Sequence, residues 1–216
     1  MGFAGEKQLA AEAAAWLVED GMAVGLGTGS TVAFLLPALA RRGLELRCVA
    51  TSPATERAAR DLGLSVEPFA GVGALTRLDI AIDGADQVAP DGWIVKGGGG
   101  AHTREKAVAA AADRFVVVAS SDKLVDTLAP PVPVELLEYG IAATLRRLGA
   151  VSLRDAPRSP DGGVIADVME PFSDPRTHAA RLAAEPGVVE HGLFPPELVS
   201  EVIVASGDRV ETRRLR

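Results

Sequence analysis

A cation, a run of positions without side chains and a carboxylate fall within eleven residues in Lys96-Gly97-Gly98-Gly99-Gly100-Ala101-His102-Thr103-Arg104-Glu105-Lys106. Residues 93–95 before this stretch read as a short buried strand and the alanine-rich 106–112 after it as a helix, so four consecutive glycines occupy a strand-to-helix turn. Glycine permits positive φ and close backbone approach, and a helix start adds unpaired N–H groups and the positive end of a dipole. The chemistry implied is the binding of a phosphate or of an oxyanion. A glycine run is also simply a flexible loop, so Lys96 and Glu105 acquire meaning only if other parts of the chain supply matching groups.

Three other strand ends supply them. Residues 22–24 read as a strand and 32–40 as a helix, joined by Gly25-Leu26-Gly27-Thr28-Gly29-Ser30-Thr31, where backbone amides and the Thr28, Ser30 and Thr31 hydroxyls suit a phosphate. A dinucleotide fingerprint beginning at Gly25 would need its last glycine at Ser30, and no Walker lysine follows. Helix capping by Ser30 or Thr31 is the non-functional alternative. Residues 78–82 read as a strand running into Asp83-Gly84-Ala85-Asp86. Ligands of open α/β sheets sit at the carboxyl ends of strands, so Asp83 and Asp86 are candidates for holding sugar hydroxyls or moving protons; ordinary turn aspartates are the alternative, a better one for Asp86 than for Asp83. The strand at 115–119 ends in Ser120-Ser121-Asp122-Lys123, placing Lys123 at a fourth such end. Lys7, in the first turn of a helix expected over 5–20, reads from its position alone as a solvated surface group.

The elements that must position these groups alternate strand and helix up to residue 129, the pattern of a parallel sheet covered by helices. Ala129-Pro130-Pro131-Val132-Pro133 resembles a linker. Beyond it, a helix over 135–148, strands at 151–154 and 163–167, a helix over 176–184 and a strand at 188–190 suit a small α+β unit. Residues 202–205 and 209–212 read as a terminal hairpin returning to the first unit. The expected domains are therefore 1–129 with 204–216, and 130–203. No apolar run approaches a membrane span and no signal-peptide pattern opens the chain; with a lone Cys48, this predicts a cytoplasmic protein with no membrane partner. A net charge of −7 argues against a nucleic-acid partner while leaving room for a small anion at a local pocket. His102, His178 and His191 are scattered, show no metal-ligand spacing, and read as solvated or loop residues.

Together these motifs, with Thr51-Ser52 to Thr55-Glu56 and Gly187-Val188-Val189-Glu190 followed by Gly192-Leu193-Phe194, resemble ribose-5-phosphate isomerase of the A type, in order across almost the whole chain. The resemblance implies a Rossmann-like parallel-sheet large domain with an inserted ferredoxin-like small domain. It also implies a homodimer or homotetramer, and a cofactor-free, metal-free interconversion of ribose 5-phosphate and ribulose 5-phosphate in the pentose phosphate pathway. By resemblance Glu105 is the base moving a proton between C2 and C1, and Asp83, Asp86 and Lys96 border the reacting oxygens. Thr28, Gly29, Ser30, Thr31, Gly84, Ala85, Gly97, Gly98, Gly99 and Lys123 are further substrate contacts, with Lys7 a weaker candidate. The residue types suit that chemistry: a carboxylate abstracts a proton beside a carbonyl, and a lysine with backbone amides stabilises the enediolate.

Three positions depart from the family pattern. Ala101-His102 stands where apolar residues are usual, Ser159-Pro160-Asp161-Gly162-Gly163 replaces a Thr-Asp-Asn-Gly-Asn turn, and His191 stands where Asn is common. His102 is expected to be a bystander, and the altered turn to bear on contacts of the small unit rather than on chemistry. The pairing of Asp83 and Asp86 with Lys96 and Glu105 argues against an amino-sugar phosphate deaminase or a CoA transferase. Retention of Glu105 argues against a sugar-phosphate sensor without turnover, and Ser30 against a nicotinamide-dependent oxidoreductase.

Overall fold

The structure is a computed structural model describing residues 2–215. The chain runs α1 (Phe3–Ala15), β1 (Ala23–Leu26), α2 (Val32–Ala40), β2 (Arg47–Ala50), α3 (Pro53–Asp61) and β3 (Leu78–Gly84). Two short strands, β4 (Gln87–Val88) and β5 (Ile94–Val95), precede α4 (His102–Ala111) and the long β6 (Ala112–Ser120), which ends in a 3-10 turn at Ser121–Lys123. Then come β7 (Val132–Leu136), α5 (Ile141–Leu148), β8 (Val151–Leu153), β9 (Val164–Val168), α6 (Pro175–Ala183), β10 (Val188–His191), β11 (Leu193–Phe194), β12 (Glu201–Ser206) and β13 (Arg209–Arg214).

Six strands form the main sheet in the order β13-β12-β6-β3-β1-β2, parallel except for the edge strand β13. Both faces are covered, which is why Phe115–Ala119 can be an unbroken apolar run rather than an alternating one. On one face α1, through Ala10, Ala11, Ala14 and Ala15, packs against α2, β6 and β12 in one cluster with Val24, Ile80 and Val116; on the other, α4 packs Val108 and Ala109 against Ala81 and Val117. From β1 the chain passes through α2 to β2 on one side, while β3 pairs on the other, so the order reverses between β1 and β3. The crevice outside the carboxyl ends of those strands is where such sheets bind ligands.

The second sheet, β10-β7-β9-β8, is antiparallel and carries α5 and α6 in a β-α-β-β-α-β succession, the ferredoxin-like arrangement. The proline-rich segment read as a linker is in part strand β7, interior to this sheet. Proline survives there because its carbonyl, and hence its missing N–H, faces Gly192, beyond the last β7–β10 pair at Val134 and His191. The helix expected over 135–148 starts only at Ile141, after a turn at Gly140 with φ 73°. β12 pairs with β6 from Glu201 to Ala205, so the return to the main sheet precedes Glu201, and the expected boundary at 203/204 falls inside that strand. The three histidines are buried, not solvated: His102 and His191 lie at the seam between the two units, and His178 is on the buried side of α6. Among the described residues no helix is long and apolar enough to cross a membrane.

Candidate active site

Four strand ends converge on one cleft of about 540 Å³, lined by Thr28, Gly29, Ser30 and Thr31 after β1, Gly84, Ala85 and Asp86 after β3, Lys96, Gly97, Gly98 and Gly99 after β5, Glu105 of α4, and Lys123 after β6. Of the residues singled out in the sequence, only Asp83 stays out of the cleft wall. It is 3% exposed and lies behind Lys96. Lys7 joins the lining instead, its Nζ donating to Ser30 Oγ at 3.0 Å.

The buried end is a trio of charges. Asp83 Oδ1 accepts from the Thr28 N–H at 3.0 Å and the Gly84 N–H at 2.7 Å, and Oδ2 lies 3.0 Å from Lys96 Nζ. This approach depends on Gly27, where a Cβ would fall 2.0 Å from Asp83 Cγ. Lys96 Nζ also donates to Gly84 O at 2.6 Å and stands 3.3 Å from Glu105 Oε2, an oxygen left with no hydrogen bond among the described residues. Two carboxylates thus share one ammonium, each of the three side chains no more than 4% exposed. Burial raises the pKa of Glu105 to about 8, with Lys96 opposing and Asp83 adding to the rise. Burial pushes Asp83 up as well, against the pull of Lys96 and two amides. Burial opposes charge on Lys96, yet Asp83 and Glu105 outweigh it and hold the ammonium charged. Asp83 has three donors and Glu105 Oε2 none, so of the two carboxylates Glu105 has the less supported charge.

The other end is cationic and hydroxylic. Ser30 and Thr31 precede α2, and neither caps it through its side chain, so capping does not account for them. Glu6 accepts from the Ser121 N–H and hydroxyl at 2.9 and 2.7 Å and from the Gly207 N–H at 2.8 Å, which ties the start of α1, and so Lys7, to the turn bearing Lys123. The place of Lys7 in the cleft wall is not legible in the sequence, because its partner Ser30 lies 23 residues away and its helical position carries no mark of that.

Helix α4 begins at His102, four residues before the alanine-rich segment, and its polar first turn faces the second sheet. Thr103 Oγ1 donates to the buried Glu135, whose other oxygen accepts from Ser159 Oγ. Arg104 forks onto Asp161 at 2.7 and 2.8 Å, and Lys106 Nζ donates to Glu190 Oε1 and His191 O, both at 2.7 Å. The residues flanking Glu105 are thereby anchored on the second unit, and the altered turn at 159–163 supplies two of the anchors. His102 Nδ1 has no partner among the described residues, its Nε2 lies 3.3 Å from Glu190 O, and burial lowers its pKa to about 4, so it is neutral packing beneath the loop. A Cβ on Gly97, whose φ is +103°, would meet that ring at 2.7 Å. Among the described residues no three His, Cys, Asp or Glu side chains group as a metal site.

A sequence model of the ribose 5-phosphate isomerase A (phosphoriboisomerase A) family matches residues 47–209. The chain belongs to that family. The ribose-5-phosphate isomerase A of Halobacterium salinarum is 45% identical to it, over 98% of this chain and 97% of its own. Among solved structures, ribose 5-phosphate isomerase A from Neisseria gonorrhoeae superposes with a TM-score of 0.92 at 30% identity, covering 100% of this chain and 98% of its own. A D-ribose-5-phosphate isomerase in complex with phospho-erythronic acid superposes with a TM-score of 0.91 at 31% identity, over 99% and 100% of the two chains. The superposition on the Neisseria gonorrhoeae structure thus spans the main sheet, the second sheet and every strand end that lines the cleft.

Proposed function

We propose that the two ends of the cleft divide the isomerisation of ribose 5-phosphate and ribulose 5-phosphate between them, the trio of Asp83, Lys96 and Glu105 performing the proton transfer and the Lys7, Ser30, Thr31 and Lys123 end holding the phosphate. The observation that carries this reading is the buried Glu105 oxygen without a hydrogen bond, at the cleft and 3.3 Å from an ammonium. A base with a pKa close to the working pH combines availability with proton affinity.

In the open-chain aldose, the Glu105 carboxylate takes the proton from C2 and the C–H electron pair forms the C1–C2 double bond, pushing the carbonyl pair onto O1. Lys96 and the amides of the glycine loop face that developing charge. Transfer of the hydroxyl proton from O2 to O1 and return of the carbon proton from Glu105 to C1 leave the ketose, with every proton accounted for. Asp86, at the cleft wall with Oδ2 already accepting from the Gly98 N–H at 2.8 Å, is placed to accept from a substrate hydroxyl. Asp83 acts behind the wall, fixing Lys96. The phosphate end fits a dianion through two ammonium groups, two hydroxyls and the amides ahead of α2. Its binding energy positions the reacting carbons.

Glu105→Gln keeps the shape of the group and removes the base. Turnover should fall by roughly 10²- to 10⁴-fold, the usual contribution of a positioned general base, while calorimetry still registers phospho-erythronic acid binding. A variant with near wild-type turnover would remove Glu105 from the mechanism.

A further inference from the structure

We propose that Arg154 is a positioning residue for this reaction, a clamp from the second sheet that sets the direction of the glycine-loop amides facing the reacting oxygens. The inference rests on the reading of the cleft given above. Arg154 follows β8, where its N–H donates to Ile165 O at 3.1 Å. Its Nε and Nη2 fork onto Asp167 of β9 at 2.7 and 2.6 Å. The remaining nitrogen, Nη1, crosses to the main unit and donates to two carbonyls, Gly97 O at 2.8 Å and Gly98 O at 2.9 Å. A guanidinium can brace and reach at once in this way because its donors are fixed in one plane; an ammonium cannot.

The consequence follows from peptide planarity. In a trans peptide the carbonyl and the following N–H point to opposite sides. Holding the Gly97 carbonyl therefore aims the Gly98 N–H away from Arg154, and that N–H is found on Asp86 Oδ2 at 2.8 Å. Holding the Gly98 carbonyl turns the Gly99 N–H away from Arg154 in the same manner, and among the described residues that N–H has no acceptor. It is left as a donor beside the cleft that Gly99 lines. The loop has no side chains to anchor itself, and its one internal backbone bond is from the Gly100 N–H to Gly97 O at 3.0 Å. Glycine peptides are costly to order, so an external clamp is what such a loop requires. The positive charge behind the two carbonyls also polarises these peptides, strengthening their N–H groups as donors.

The test compares Arg154→Lys, Arg154→Ala and Asp167→Asn with the wild type and with Glu105→Gln. For each, kcat and KM for ribose 5-phosphate, the Kd for phospho-erythronic acid, the Kd for inorganic phosphate and thermal unfolding are measured. The carboxylate of phospho-erythronic acid stands in for the enediolate oxygens, whereas inorganic phosphate reports only the far end of the cleft. Losing one oxyanion donor costs about 10²- to 10³-fold in kcat, and a loosened donor less, so kcat should fall roughly 30-fold for Arg154→Ala and about 10-fold for Arg154→Lys. Affinity for phospho-erythronic acid should fall in step, with the Kd for phosphate changed by less than about twofold; Asp167→Asn should lie between wild type and Arg154→Lys. A folded Arg154→Lys protein with wild-type kcat and wild-type analogue affinity would overturn the proposal, as would equal losses of analogue and phosphate affinity, which would mark Arg154 as a general support of the fold. Full turnover by Glu105→Gln would instead overturn the reading of the cleft beneath it.

Discussion

Replacing Glu105 with glutamine should stabilise the fold, and by more as the pH rises. The carboxyl titrates near its ordinary value of 4.5 when unfolded and at about 8 in the folded protein, because burial beside Asp83 outweighs the attraction of Lys96. The folded state therefore binds this proton more tightly than the unfolded state does. The stability it contributes is complete below pH 4.5 and is lost as the pH climbs through 8. At about 1.4 kcal/mol per pH unit, the loss has an upper bound of roughly 4–5 kcal/mol. Asp83 is raised by the same burial and titrates together with Glu105, so the gain lies below that bound. Glutamine mimics the protonated form and leaves Asp83 and Lys96 as a matched pair, so the variant should resemble the wild type at pH 5–6 and exceed it at pH 9. For a chain of this length the bound corresponds to roughly 10–20 °C in Tm. The assay is thermal unfolding of both proteins at pH 6 and pH 9 in matched ionic strength, read as a difference of differences so that the other titrating groups cancel. A Tm gap that is independent of pH, or that closes as pH rises, would refute the claim that Glu105 is the strained member of the trio.

Two further outcomes follow from the same geometry. The kcat/KM for ribose 5-phosphate should climb with pH as free Glu105 gives up its proton, with a limb near pH 8; the second ionisation of the substrate phosphate, at about 6, lies far enough below to be told apart. A profile flat from pH 6 to 9 would contradict it. Lys7→Ala should lower kcat/KM for ribose 5-phosphate by about 10- to 100-fold, the 1.5–3 kcal/mol of a charge-assisted hydrogen bond, and leave the slow reaction of unphosphorylated ribose unchanged. An equal loss on both sugars would remove Lys7 from the phosphate end.

Much of this site was legible because its signals are local. Helix α2 runs over 32–40 as its apolar spacing requires, and the two glycine-rich turns and Asp83 stand at strand ends that follow from apolar runs. What escaped was decided by partners distant in sequence. Pro133 reads as a linker residue until β10 and Gly192 show that its missing N–H has nothing to pair with. His102, Thr103 and Arg104 look too polar to open a helix packed on both sides, yet their partners are Glu190, Glu135 and Asp161 of the second unit. Asp83, at the mouth of a strand by sequence, is withdrawn from the cleft because Gly27 lets it sit under the first loop. Arg154 lies outside every motif and reaches the glycine loop only because β8 and β9 carry it there.

The central claim, that Glu105 carries the proton between C2 and C1, is tested most directly by incubating ribose 5-phosphate with the protein in D2O and following carbon-bound deuterium by NMR. The wild type should place deuterium on C1 of the ketose and on C2 of the recovered aldose, whereas Glu105→Gln, still binding phospho-erythronic acid, should add none above the rate without protein. Exchange by Glu105→Gln at the wild-type rate would show that another group moves the proton.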